Sequence, residues 1–96
     1  MKLLIIICES SVEAKIADLL RTLGAPGYTR FTGGTGYGKS GLREGTSVWP
    51  GLNSMILTAV PEELIVPIHS RIDELKAYRA GKLAVKIFVL PMEEGL

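Results

Sequence analysis

Six consecutive apolar residues, Leu3 to Cys8, follow directly on Met1-Lys2. Side chains alternate between the two sides of a strand, so a continuous apolar run of this length has no face to give to water. It belongs in the middle of a sheet with both faces covered. The run is too short for a secretory core, and Glu9 follows at once. No stretch approaches the roughly 20 apolar residues of a membrane span. A soluble, cytoplasmic chain is the expectation. At 96 residues the chain holds one core and one domain, 1–96.

The rest of the sequence is arranged around that strand. Val12, Ile16, Leu19, Leu20 and Leu23 recur at helical spacing, and Gly24 stops the helix. Ser10 stands three residues before Glu13, the spacing of a capping box. Glu13, Lys15, Asp18 and Arg21 are expected on the outer face. Ala25-Pro26-Gly27 reads as a turn, and a second strand begins over Tyr28 to Thr32. A third strand covers Ser54 to Val60. Pro61-Glu62-Glu63 opens a second helix with a stripe of Ile65, Ile68, Ile72 and Leu75 and with Pro67 in its first turn. Gly81 ends that helix, and the last strand runs from Leu83 to Leu90 with Pro91 closing it.

The order is βαββαβ, which predicts an α+β, ferredoxin-like sandwich: a four-stranded antiparallel sheet with two helices on one face. Val85, Ile87 and Val89 then share one face of the last strand, and Lys86 and Phe88 the other. Apolar residues on both faces imply that another chain buries the open face.

Charge and cysteine content narrow the function. Eleven Lys and Arg against ten Asp and Glu give a net charge of +1, which excludes a polybasic nucleic-acid binder. A single cysteine, Cys8, excludes a disulfide framework and a cysteine zinc finger. One histidine, His69, supplies neither a catalytic pair nor a ligand set. A Ser-His-Asp or Cys-His catalytic constellation has nothing to be built from, so no enzyme is expected.

Between the second and third strands lies a glycine-dense segment, about residues 36–53, too long for a tight hairpin. Running into it, Gly33 to Ser40 matches the P-loop string, and Gly36 to Gly41 spells the dinucleotide fingerprint. Both motifs need a helix to follow, so that its N-terminus receives the phosphates. The sequence continues instead with Gly41, Leu42, Arg43, Glu44 and Gly45, which is no helix, and no metal-holding carboxylate is placed nearby. A small P-loop-like ATPase using Lys39 and Ser40 is therefore the lesser alternative. What remains is anion chemistry: glycine backbone N–H groups approach an anion closely, and Lys39 and Arg43 add positive charge. Trp49 in the same segment is either a packed anchor or a contact for a partner protein.

In order and spacing the chain resembles the PII signalling family, and especially its shorter PII-like branch. The matching residues are Gly27-Tyr28-Thr29, Gly36-Tyr37-Gly38-Lys39, Val60-Pro61-Glu62-Glu63 and Lys86-Ile87-Phe88-Val89. The resemblance implies a non-enzymatic homotrimer that binds adenine nucleotide in clefts between subunits. It implies that Thr29 and the backbone near Ala59 face the adenine, and that Gly36, Gly38, Lys39 and Ser40 lie beside the phosphates. It implies that Lys86 reaches in from the last strand and Lys82 from the loop before it, and that the long loop, with Lys39, Arg43 and Trp49, meets the partner protein.

The family's glycine-rich loop before the last strand is replaced here by Ala80 to Val85, with Val85 where a glycine is usual. The family's C-terminal segment with two phosphate-binding arginines has no counterpart in these residues. The resemblance then implies AMP or ADP rather than ATP, with bicarbonate as a further ligand. Some members accompany bicarbonate transporters or carboxysomes, which implies a membrane transporter or a carboxysome-associated protein as partner. A ligand-free trimeric assembly module and a metal-binding module of the same fold are the remaining alternatives. The second is short of soft ligands, with one His and one Cys.

Overall fold

The computed structural model describes residues 1–38, 41–43, 52–78 and 83–93, with residues 38 and 41–43 described by their backbone alone. The elements are β1 (Lys2–Glu9), α1 (Glu13–Thr22), β2 (Thr29–Gly34), β3 (Gly36–Gly38), β4 (Gly41–Arg43), β5 (Asn53–Val60), α2 (Ile65–Tyr78) and β6 (Val85–Pro91). A single 3₁₀ turn precedes each helix, over Ser10–Val12 and Glu62–Leu64.

The four long strands form one sheet in the order β2-β5-β1-β6. Every pairing in it is antiparallel. With two helices, this is the ferredoxin-like sandwich expected from the sequence. The apolar run of β1 is central as predicted, with Ile6 paired to Ile56 on one side and Ile87 on the other.

The two sides of the sheet differ. Leu4, Ile6 and Cys8 of β1 and Ile56 and Val60 of β5 turn toward the helices. They are buried with Val12, Ile16, Leu19 and Leu20 of the first helical segment and Ile68 and Ile72 of α2. The opposite side carries Leu3, Ile5 and Ile7, Met55 and Leu57, Phe31, Phe88 and Leu90, and no element covers it among the described residues. Phe31 is 51% exposed, Phe88 50% and Leu90 40%.

Local details follow from residue chemistry. At the end of α1, Gly24 takes φ +91°, its N–H donates to the Arg21 carbonyl and the Ala25 N–H to the Leu20 carbonyl. This is a Schellman ending, which needs a left-handed residue and so favours glycine. Gly33, at φ +75°, sits where the β2–β5 register shifts between Phe31 and Gly34, the place for a bulge. Pro67 is the third residue of α2, in the first turn as expected.

Three expectations are corrected. Ser10 and Glu13 form no capping box, for the Ser10 hydroxyl lies 2.9 Å from that of Ser54 on β5 and makes no cap. Glu13 does not face outward: it is 3% exposed and accepts a 2.6 Å hydrogen bond from Nε of Arg30. A buried carboxylate requires such a partner. The strand limits also move: β2 covers Thr29–Gly34, and the last strand begins at Val85, with Leu83 buried ahead of it.

Candidate functional site

The β2–β5 ladder starts at Thr29 opposite Leu57, whereas β5 continues to Val60. Upstream of Thr29 the chain comes from the α1 ending through Pro26 and Gly27, and it peels away from β5. The gap is a groove of about 430 Å³ lined by Met1, Leu3, Pro26, Gly27, Tyr28, Thr29, Leu57, Thr58 and Ala59. This volume is within the range of small-molecule sites. None of these residues is an Asp, Glu, Lys, Arg or His. Such walls suit a flat, uncharged ring better than a phosphate.

Thr29 and Ala59, singled out in the sequence, are thus brought together in one groove. Gly36 and Gly38 lie at the other end of β2, in a small ribbon where Gly36 pairs with Arg43 and Gly38 with Gly41. The backbone after the P-loop string is therefore strand over Gly41–Arg43, where a P-loop requires helix. Lys86 is exposed on the open side of β6, paired with Ile7. Within one chain it stands toward the loop end of the sheet, away from Thr29 and Ala59. Lys39, Ser40, Trp49 and Lys82 lie outside the described residues, and Arg43 is described by its backbone alone.

Other polar groups flank the sheet. Glu13, and after it Tyr28, holds the Arg30 guanidinium firmly in its charged form. Cys8 is buried beside Glu13 and Glu9, and burial first, then these two carboxylates, push its thiol up to about 11. That is the opposite of a reactive thiolate. Among the described residues no group of three or more His, Cys, Asp and Glu is placed to hold a metal. His69 pairs with Asp73 at 3.2 Å on the exposed surface of α2. Among the described residues no helix is long and apolar enough to cross a membrane.

Sequence reasoning missed the remaining groove wall and Thr58. A signal for Thr58 was available: Ser54, Ile56, Thr58 and Val60 alternate onto the buried side of β5, so two hydroxyls fall among core positions and each needs a partner. Thr58 finds it in the Gly27 carbonyl, donating at 2.6 Å.

Comparison with known proteins agrees with the fold. The family model described as nitrogen regulatory protein P-II matches residues 1–95. A structure of CPII, a nitrogen regulatory PII-like protein from Thiomonas intermedia K12 bound to ADP, AMP and bicarbonate, is 31% identical with a TM-score of 0.77. That match covers 98% of this chain and 93% of the other. The apo form of CPII is 30% identical over 93% of this chain and 87% of that one, with a TM-score of 0.66. A PII-like signalling protein from Thermus thermophilus is 30% identical over 92% and 82% of the two chains, with a TM-score of 0.68. No curated protein matches the chain in sequence. The chain belongs to the P-II nitrogen regulatory family, whose members are regulators and not catalysts.

Proposed function

We propose that the protein is a homotrimeric sensor that binds AMP or ADP, and bicarbonate, in clefts between its subunits. It passes the ligand state to a partner protein through the loop of about residues 36–53. The observation that carries this reading is the CPII structure, similar over nearly the whole of both chains and bound to ADP, AMP and bicarbonate. The apolar groove supports a base against Thr29 and Ala59. Its lack of charged side chains supports a position for the phosphates outside it, which the resemblance assigns to Gly36, Gly38, Lys39 and Ser40. Lys86 and Lys82 then belong to the neighbouring copy, since Lys86 of the same chain stands away from the groove. The open apolar side of the sheet supports assembly, because a contiguous apolar face of this kind marks an interaction surface.

Ligand occupancy would change the order of the loop and so its fit to a partner through Arg43 and Trp49. The resemblance to the bicarbonate-linked branch supports a membrane transporter or a carboxysome-associated protein as that partner. Titration calorimetry with AMP, ADP, ATP, cyclic AMP and bicarbonate tests the ligand class. AMP or ADP is expected to bind more tightly than ATP. Heat from none of the five would refute the sensor.

A further inference from the structure

The groove exists because β2 leaves β5 while β5 runs on; the Thr58 side chain spans the gap at Gly27, beside Tyr28 of the outer wall, which packs against the core. Thr58 is 2% exposed, and its hydroxyl donates to the Gly27 carbonyl at 2.6 Å. Thr58 lies beyond the last ladder pair, Thr29 with Leu57, so its side chain supplies a link where the ladder pairing has ended. The segment it grips, Pro26 to Thr29, is the outer wall of the groove, and Leu57 to Ala59 is the inner wall. Gly27 has nothing within 4 Å of where a Cβ would sit, so no packing against a side chain at that residue fixes the outer wall.

We infer that Thr58 is a positioning residue that sets the groove's width and thereby selects the base it accepts. The inference rests on the nucleotide reading of the same groove. With the hydroxyl in place, Gly27 and Thr29 stand at one distance from Ala59. Without it, the Gly27 carbonyl loses its partner and turns toward water, and the wall at Gly27 moves more freely between its remaining holds, the packing of Tyr28 on the core and the Thr29–Leu57 pair. A wall held at one spacing discriminates between bases, because a site with fixed polar groups rejects a ring whose donors and acceptors do not match.

The test compares Thr58→Val, which keeps shape and β-branching, with Thr58→Ser, which keeps the hydroxyl, and adds Thr58→Ala should valine impair folding. Amide hydrogen exchange without nucleotide reads the clamp alone. Residues 27–29 are expected to exchange faster in the Val and Ala variants and normally in the Ser variant, with β1 and β6 unchanged. Titration with ADP and GDP then reads the consequence. The Val and Ala variants are expected to lose about ten-fold in ADP affinity, with a smaller loss for GDP, and the Ser variant to recover both. A general loss of stability would weaken ADP and GDP alike and would overturn the selective role. Unchanged exchange at residues 27–29 overturns the clamp itself. Failure of the unaltered chain to bind either nucleotide, with exchange altered as expected, overturns the nucleotide reading and the role in base selection while leaving the clamp standing.

Discussion

The two faces of the sheet are built from the same kinds of residue and meet different fates. On the helix side Leu4, Ile6, Ile56 and Val60 have no exposed surface. On the other side Ile5, Ile7, Met55 and Leu57 are partly exposed, and Phe31, Phe88 and Leu90 stand about half in water. The strands of a solvated antiparallel sheet usually alternate apolar and polar. Here β1 does not alternate at all. The difference teaches that one core is complete within the chain, and that the second face has the composition of a core which no described element closes.

The largest effect is expected on the closed face. Ile56→Ala removes a fully buried side chain and should cost about 2–5 kcal/mol of stability, as large-to-small core changes do. Urea unfolding measures it. A loss under about 1 kcal/mol would mean that this face is not the tightly packed core described.

A second effect of the dry face is on the Cys8 thiol, raised from 9.0 to about 11. Below about pH 9 the folded and unfolded chains both hold the proton, and the contribution to stability is complete. Between about 9 and 11 the unfolded chain releases it first, so stability falls with rising pH, by roughly 2–3 kcal/mol in all. Cys8→Val should flatten that alkaline decline in unfolding free energies measured from pH 8 to 11. Identical slopes with and without the thiol would place Cys8 in a wetter site than the one seen.

On the open face the expected effect falls on binding and leaves the fold intact. Lys86 is exposed, so Lys86→Ala should leave the melting temperature nearly unchanged. On the proposed reading a charge-assisted bond to phosphate is lost, and ADP affinity should fall about ten-fold, or about 1.4 kcal/mol. Lys39→Ala should do the same, while Lys2→Ala and Lys76→Ala should be nearly silent. Unchanged affinity in both Lys86→Ala and Lys39→Ala would remove these lysines from the site.

The same contrast explains what was legible in the sequence. Periodicity reports which residues shun water, so the unbroken run of β1, the helical stripe ending at Leu23 and Gly24, and the alternation in β6 gave the order and orientation of the elements. Periodicity carries no information about polar partners. Glu13 looked like a surface residue because its neighbours Lys15 and Asp18 are, yet Arg30, 17 positions away on β2, draws it inward. Ser10 looked like a helix cap, but a hydroxyl 44 positions away is its partner. In the site, Thr29 and Ala59 came from resemblance alone. The groove joining them depends on where a ladder stops, which is set by the Schellman ending and the turn at Pro26, and no short motif encodes it.

The most direct measurement of the central claim, that the second face is a core completed by copies of the same chain, is the mass in solution of the unaltered protein and of Phe88→Asp. Light scattering is expected to give about three times the 10.4 kDa of one chain for the unaltered protein. The substitution puts a charge into the face proposed to be shared and should reduce the mass to that of one folded chain, with the circular dichroism of the sandwich retained. A single-chain mass for the unaltered protein at micromolar concentration, or an undiminished trimer carrying Asp at residue 88, would contradict it.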